Sequence, residues 1–176
     1  MFRNINPEHY KSRFVDDISP YKVVHGHFHP SKYDGLQQAL RITFLRHPVD
    51  NIHSIFRFWS AAPLGSWDNH VFHYFKSYSL SIECFAALPV LRHLYSKQYF
   101  GGFDMNRFNF IGDYSVRQNE IKRLSTLLGV MIPQDIRINV TEELNVAPNS
   151  IDESTFRKLS NILADDIEFY HKFVGR

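Results

Sequence analysis

The sequence predicts an α/β fold in which a parallel sheet is flanked by helices. Short apolar strand patterns alternate with helix patterns along the chain, an order that is typical of parallel sheets. The clearest example is RITFLRHPVDNIHSIF, where Arg41–Leu45 predicts a strand and Pro48 suits the first turn of a helix. Apolar residues then recur at helical spacing from Ile52 to Trp59 and predict one buried helix face.

Composition indicates a folded chain with a substantial core. The 176 residues are 44% hydrophobic and 22% charged, and we expect them to form a single domain, 1–176. A net charge of +2 does not favour a nucleic-acid partner, but it allows a local basic pocket for a small anion.

Cysteine content and hydropathy bear on the compartment. Cys84 is the single cysteine and cannot form an internal disulfide, so we expect a reducing, cytoplasmic location. No apolar run is long enough to span a membrane, and the start MFRNINPEHYK does not resemble a signal peptide.

The first half of the chain predicts further elements around the strand–helix unit. Residues 1–20 are polar with weak helical character, and Lys22–Phe28 predicts a short strand followed by the turn-rich loop HPSKYDG. After the first helix, we expect a helix-rich aromatic segment over His70–Phe100, broken in two at Pro89.

The second half predicts two more strands and two helices. Arg107–Gly112 predicts the third strand, Ser115 and Gln118 predict a capping box, and Gly129 predicts the end of the helix that follows. A fourth strand is expected over Ile136–Val140.

The last helix is predicted to begin at a second capping box, Ser150 with Glu153. Its expected core residues are Phe156, Leu159, Leu163 and Tyr170, and its expected solvated residues are Asp165, Asp166 and Glu168.

Arg46 follows the first strand of the strand–helix unit. Ligands of open α/β sheets bind outside the carboxyl ends of the strands. A guanidinium matches the geometry of a phosphate, and the Ser54 hydroxyl and the N–H groups of the helix start add donors. We therefore expect a phosphate cradle at Arg46 and Ser54, the alternative being an arginine paired with Asp50 or with a helix C-terminus.

The stretch FLRHPVDNIHSIFRFW resembles the 3′-phosphate-binding element of sulfotransferases that use 3′-phosphoadenosine-5′-phosphosulfate (PAPS). The resemblance implies that Arg46 and Ser54 hold the 3′-phosphate of this co-substrate. His47 departs from the Asp or Asn that often precedes the proline in the family.

Further stretches extend the resemblance from about Tyr21 onward and leave residues 1–20 weakly matched. VVHGHFHPSKY is similar to the His-Gly-His strand end of the heparan 2-O-sulfotransferase branch. FNFIGDYSVRQNEIKRLSTLLG resembles a later strand and helix of the family, and INVTEELN with SIDESTFRKLSNILADDIEFYHKF resembles its C-terminal loop and helix. The resemblance implies a P-loop-like sulfotransferase fold that transfers a sulfuryl group from PAPS to a hydroxyl of a carbohydrate-like acceptor.

His25, His27 and His29 alternate and would point to one side of an extended strand. From chemistry alone they fit hydrogen-bonded histidines of a half-buried strand, a metal site, or a general base. A metal site needs further ligands that the sequence does not mark, so we expect no metal. The resemblance implies that His27 is the base that deprotonates the acceptor hydroxyl and that His25 orients it.

One part of the family pattern is missing. The loop Pro-Lys-x-Gly-x-(Ser/Thr), which in the family holds the 5′-phosphosulfate, should lie upstream of His25 and is not found there. Three explanations stay open: a fragment whose reading frame starts too late, nucleotide binding without catalysis, or substitution of the loop by Lys11, Arg13 or Lys22. Losing a first strand would expose a sheet edge, so we also expect a homo-oligomer or another partner to cover it.

Three functions therefore remain open from the sequence. The first is a PAPS-dependent sulfotransferase, and the second is a catalytically inactive nucleotide- or anion-binding relic of the same fold that acts as an interaction module. The third is a histidine-based metal protein.

Overall fold

The computed structural model describes residues 15, 17–19, 21–66, 69–133 and 151–175, and within these the protein has an α/β arrangement. Two short strands, β1 (Ile42–Leu45) and β2 (Phe110–Asp113), form a parallel pair. Their register places Leu45 opposite Asp113 at the carboxyl end. The predicted parallel sheet is confirmed in this small form, while the P-loop-like sulfotransferase fold stays a prediction.

Helices surround this strand pair. In chain order they are α1 (Pro48–Ala61), α2 (His70–Tyr78), α3 (Ile82–Ala86), α4 (Pro89–Arg92), α5 (Arg117–Leu128), α6 (Glu153–Ile162) and α7 (Ala164–Phe173). A π-helical turn spans Leu94–Tyr99, and 3-10 turns span Pro30–Tyr33, Met105–Arg107 and Tyr114–Val116. A proline opens both α1 and α4, where its missing N–H removes no helical hydrogen bond. Pro89 therefore starts α4, and the predicted division of the aromatic segment into two parts is wrong, because the chain also breaks at Ser79, which is in the left-handed conformation.

The strand–helix unit around Arg46 is confirmed. β1 lies within the predicted strand, and α1 begins at Pro48 and continues to Ala61, two residues beyond Trp59. The third predicted strand is found as β2, shifted toward the C-terminus because a 3-10 turn occupies Met105–Arg107. Gly129 ends α5 in the left-handed conformation, with a φ of 63°.

The capping box predicted at Ser115 and Gln118 is wrong. The Asp113 carboxylate accepts a hydrogen bond from the backbone N–H of Ser115 at 2.8 Å and so caps the 3-10 turn before α5. This turn delays the start of the helix to Arg117, where no side chain caps it.

The last predicted helix is two helices, α6 and α7, which meet at Leu163. Asp152 is the N-cap of α6 and accepts from the Thr155 N–H at 2.9 Å. Leu159, Leu163 and Tyr170 are buried as predicted, whereas Phe156 is exposed. Ser150 and the predicted strand 136–140 lie outside the described residues.

Two apolar clusters form the core. The first joins α1, α2, α3 and α6, and Trp59 stands at its centre with its ring 5.3 Å from that of Phe85 and 5.5 Å from that of Phe72. The second packs β1 and β2 against the π-helical turn and α7, through Leu45, Tyr95, Ile111 and other buried residues.

Asp166 is buried, so its predicted place on the solvated face of the last helix is wrong. Only 2% of the residue is exposed. Its carboxylate accepts hydrogen bonds from the N–H of Tyr95 (2.8 Å), from the N–H of Ser96 (2.9 Å) and from the Ser96 hydroxyl (2.6 Å). A π-helical turn leaves its first N–H groups without helical partners, and the carboxylate satisfies two of them. Asp166 thereby attaches α7 to the π-helical turn.

The strand predicted over Lys22–Phe28 is also wrong. The segment is irregular and largely exposed, and the sheet within the described ranges contains β1 and β2 alone. A strand needs a neighbour to pair its N–H and C=O groups, and neither described strand provides one for this segment.

We expect Asp166→Ala to lower the free energy of unfolding by about 2–4 kcal/mol, because three buried donors lose a charged acceptor. Chemical denaturation measures this loss. The matched control is Asp165→Ala, since the Asp165 side chain is 62% exposed and its one ion pair within the described residues is with His93 at 3.2 Å. The control should change stability by less than about 1 kcal/mol. Equal effects of the two variants would contradict the role of Asp166.

Candidate functional site

The carboxyl edge of the strand pair gathers the residues of the candidate site. Since β1 and β2 are parallel and Leu45 is opposite Asp113, the chain leaves both strands at the same edge. Arg46 follows β1 and Tyr114 follows β2. Ligand-binding residues of parallel sheets are expected at such an edge.

Arg46 is half-buried, and its side chain leans across this edge. The guanidinium carbon lies 5.3 Å from the centre of the Tyr114 ring, within the range of a cation–π contact. Among the described residues, the guanidinium has no ion-pair partner. The alternative in which Arg46 pairs with Asp50 is thus not what the described residues show.

The backbone of Arg46 is held by the hydroxyl of Tyr95. This hydroxyl donates to the Arg46 carbonyl oxygen at 3.1 Å and accepts from the Arg46 N–H at 3.3 Å. Burial raises the pKa of Tyr95, so the hydroxyl stays protonated and keeps its donor at any physiological pH. Because Asp166 holds the N–H of the same tyrosine, the position of Arg46 depends on both α7 and the π-helical turn.

The start of α1 adds donors to this edge. His47 is the N-cap and makes no side-chain cap bond, so the first turn keeps N–H groups that have no helical partner. Ser54 is half-buried on α1, and Asp50 and Arg57 are its neighbours one turn before and after it. Arg46, the helix start and Ser54 thus belong to one strand–helix unit, and the cradle expected from them stays a prediction.

Charges of both signs lie near His53 in α1, since Asp50 is in the first turn and Arg46 and Arg57 are close by. The pKa of His53 is lowered mainly by burial and then by Arg57, with a smaller contribution from Arg46, while Asp50 opposes the shift. A neutral His53 at neutral pH can share the edge with two guanidinium groups without adding to their repulsion.

His47 joins α1 to the last two helices. Its ring stacks on Phe156 at 6.0 Å, meets Tyr170 edge-on at 5.5 Å and lies 6.3 Å from the ring of His171. Burial lowers the pKa of His47, His171 lowers it further, and Asp50 and Asp113 oppose this.

Asp113 connects β2 to the same aromatic cluster. Its carboxylate accepts from the Tyr170 hydroxyl at 3.1 Å as well as from the Ser115 N–H. Burial and this carboxylate raise the pKa of Tyr170 to about 12. A tyrosine hydroxyl thus fixes the end of each strand: Tyr170 of α7 holds the end of β2, and Tyr95 of the π-helical turn holds the residue after β1.

The predicted histidine row is not formed. His25 and His27 are exposed, whereas His29 is buried, so the three side chains do not share one face. The Nδ1 of His27 lies 3.4 Å from the Tyr99 hydroxyl. With no strand at this segment, the alternation in the sequence does not determine which way the side chains point.

His29 instead anchors the segment to the rest of the protein. Its Nδ1 accepts from the Ser31 N–H at 3.3 Å and its Nε2 lies 3.1 Å from the Gly101 carbonyl oxygen. A side chain at 101 would collide with the Lys97 backbone, so glycine is required where this carbonyl turns toward His29.

Within the described part of the chain, no group of three or more His, Cys, Asp or Glu side chains could hold a metal ion. Lys22 is exposed, and Lys11 and Arg13 lie outside the described residues.

Sequence reasoning missed the residues that position Arg46. Nothing in the sequence around Tyr95 indicates its role, because its partner Arg46 is 49 residues away in the chain. Asp166 did give one: it continues the apolar row Leu159, Leu163 and Tyr170 at helical spacing, and an acidic residue on such a row needs a buried partner.

Comparison of the chain with protein-family models, curated proteins and solved structures found no match. Of the helices in the described ranges, none has the length and apolar character that crossing a membrane requires.

We expect Tyr95→Phe to lower the free energy of unfolding by about 1–2 kcal/mol, since the Arg46 N–H and carbonyl oxygen lose their shared partner. The amide resonance of Arg46 should shift in the same variant. Tyr78→Phe is the control, because Tyr78 is 67% exposed. A Tyr95→Phe protein with wild-type stability and an unmoved Arg46 resonance would argue against the hydroxyl bridge.

We expect the stability of the protein to fall as the pH drops from about 7 to about 5. The pKa values of His47 and His53 are lowered in the folded state, so the unfolded chain binds protons more readily and acid favours unfolding. His47→Gln should flatten this part of the profile of unfolding free energy against pH, and the exposed His70→Gln should not. A slope that His47→Gln leaves unchanged would assign the pH dependence to other groups.

Proposed function

We propose that this chain is a PAPS-dependent sulfotransferase-like protein that binds its nucleotide at the carboxyl edge of the strand pair. One observation carries the proposal. A half-buried guanidinium, that of Arg46, lies at this edge beside a helix start and has no carboxylate partner among the described residues.

The 3′-phosphate is the part of the nucleotide that this edge suits best. An arginine presents a fork of donors that matches two oxygens of a phosphate. The free N–H groups of the first turn of α1 favour an anion, and Ser54 supplies a hydroxyl on the same helix. The ring of Tyr114, 5.3 Å from the guanidinium carbon, adds a cation–π contact at the same edge.

The transfer step follows from the resemblance. His27 takes the proton of the acceptor hydroxyl while that oxygen attacks the sulfur, and the bond between the sulfur and the 5′-phosphate oxygen breaks. The nucleotide leaves as adenosine 3′,5′-bisphosphate. His25 orients His27, and the acceptor is a carbohydrate-like molecule. Both histidines are exposed, which allows an acceptor to approach them.

A binding module without transfer is the second candidate, and one observation favours it. His25 and His27 lie on an irregular segment instead of a strand. A general base needs a fixed distance to the proton that it removes, and an irregular exposed segment provides less restraint than a sheet.

We expect adenosine 3′,5′-bisphosphate at about 100 times its Kd to raise Tm by about 5–10 °C, because it binds the folded state alone. Arg46→Gln should abolish the shift, and Ser54→Ala should reduce it. Adenosine 5′-monophosphate, which lacks the 3′-phosphate, should give a much smaller shift. Arg92→Gln is the matched control, since Arg92 is an exposed arginine of α4.

The two candidates differ in turnover. A sulfotransferase moves radiolabelled sulfate from PAPS to a saccharide, and His27→Ala lowers this rate while the Tm shift persists. A binding module shows the Tm shift with no labelled saccharide. No Tm shift with millimolar adenosine 3′,5′-bisphosphate would exclude both.

A further inference from the structure

A row of polar side chains lies on the side of α1 that faces away from the apolar core. Its four members follow one another at spacings of three and four residues and therefore share one face of the helix: Asp50, His53, Ser54 and Arg57. Asp50 is exposed, and the other three are half-buried. The helix begins next to Arg46, and the charge of this arginine acts on His53.

The imidazole of His53 is not committed to a protein contact. Within the residues that the structure describes, it makes no hydrogen bond. Half-buried polar groups are usually paired with the protein or with water. An imidazole that the fold leaves unpaired in this way, near an arginine of the candidate site, is therefore available to a ligand of that site.

The charges around His53 leave room for one more positive charge when an anion binds. Burial lowers the pKa of His53, Arg57 lowers it next and Arg46 adds to this, while Asp50 raises it. With His53 neutral, these groups carry two positive charges and one negative charge. A sulfate or a phosphate monoester brings about two negative charges at neutral pH. A proton on His53 would supply the second net positive charge that balances such an anion.

The helices that pack against α1 bring no other charged partner to His53. These helices are α3, α6 and α7. Their charged side chains near α1 act on one another or on His47: Glu83 pairs with Lys158, Glu153 pairs with Arg157, and His171 lowers the pKa of His47. His47 also differs from His53 in its surroundings, because the other charged groups that act on it are the carboxylates of Asp50 and Asp113.

We propose that His53 binds an oxyanion together with Arg46 and takes up a proton from solvent when the anion arrives. This role rests on the proposed function, since it requires an anion site at Arg46. In the empty site, burial and the two guanidinium groups oppose a charge on the imidazole. The negative charge of a ligand removes that opposition. Anion binding and protonation of His53 therefore favour each other, and the anion binds more tightly as the pH falls.

The test is a calorimetric titration of the full chain with sodium sulfate at constant ionic strength. Sulfate keeps its charge between about pH 6 and about pH 8, so any proton taken up belongs to the protein. Titrations in two buffers with different enthalpies of ionisation count these protons. We expect proton uptake at about pH 7, and binding about tenfold tighter at about pH 6 than at about pH 8. Binding without proton uptake, or no binding at sulfate concentrations on the order of 50 mM, would overturn the proposal.

Three histidine variants assign the proton to one residue. His53→Gln keeps a side chain that forms hydrogen bonds but cannot be protonated, and we expect it to remove the proton uptake and to weaken sulfate binding at about pH 6 about tenfold. The matched control is His70→Gln, on the exposed side of α2, which should keep the wild-type behaviour. Proton uptake that persists in His53→Gln and disappears in His47→Gln would assign the proton to His47 and would overturn the proposal.

The imidazole nitrogen resonances of the unmodified protein give a second readout that needs no variant. At about pH 7, sulfate should move the resonances of His53 toward those of a protonated ring. Resonances of His53 that stay unchanged while sulfate binds would contradict the proposal.

Sulfate and the nucleotide separate this role of His53 from the proposed function. Arg46→Gln should abolish both sulfate binding and the proton uptake, and sulfate binding that survives with its proton uptake in this variant would overturn the shared site. Sulfate binding with proton uptake, but without a Tm shift from adenosine 3′,5′-bisphosphate, would support the role of His53 and exclude the nucleotide. A Tm shift from the nucleotide, with sulfate binding that takes up no proton, would retain the proposed function and overturn the role of His53.

Discussion

The buried carboxylate of Asp166 determines how the candidate site is built. It accepts from two of the first N–H groups of the π-helical turn, those of Tyr95 and Ser96. The Tyr95 hydroxyl in turn holds the N–H and the carbonyl oxygen of Arg46. A buried carboxylate with good donors is costly to remove, because the donors are then left without partners. The backbone position of the half-buried Arg46 thus depends on a hydrogen-bonded group in the interior, at the junction of α7 with the second apolar cluster.

The two ends of the strand pair differ in how they hold their arginines. At the carboxyl edge, Arg46 has its backbone fixed and its guanidinium free of carboxylates in the described part of the chain. At the amino edge, Arg41 and Arg107 have their guanidinium groups fixed by carbonyl oxygens and by Asp34. A guanidinium without a carboxylate partner keeps its charge for an anion, whereas the guanidinium groups of Arg41 and Arg107 are already used in protein contacts.

The sequence predicted those parts of the structure that neighbouring residues determine, and it missed those that depend on contacts between distant residues. β1, α1 and the place of Arg46 were predictable because a short apolar run, a proline and a helical repeat are local signals. The prediction that His25, His27 and His29 share one face was wrong, because alternation defines a face only when a neighbouring strand pairs with the segment. His29 is held instead by the carbonyl oxygen of Gly101, 72 residues away. The prediction that Asp166 is solvated was wrong because it rested on the acidic side chain alone. Its position on the apolar row of Leu159 and Leu163 indicated burial.

The attachment of α7 also affects how the protein is made. Arg46 depends on Tyr95, and Tyr95 depends on Asp166, which is 71 residues further along the chain. A ribosome synthesises β1 and α1 long before α7, so the nascent chain carries an unfixed Arg46 until the last described helix has emerged and docked. The edge that we assign to the nucleotide therefore lacks its buried anchor until α7 has been synthesised.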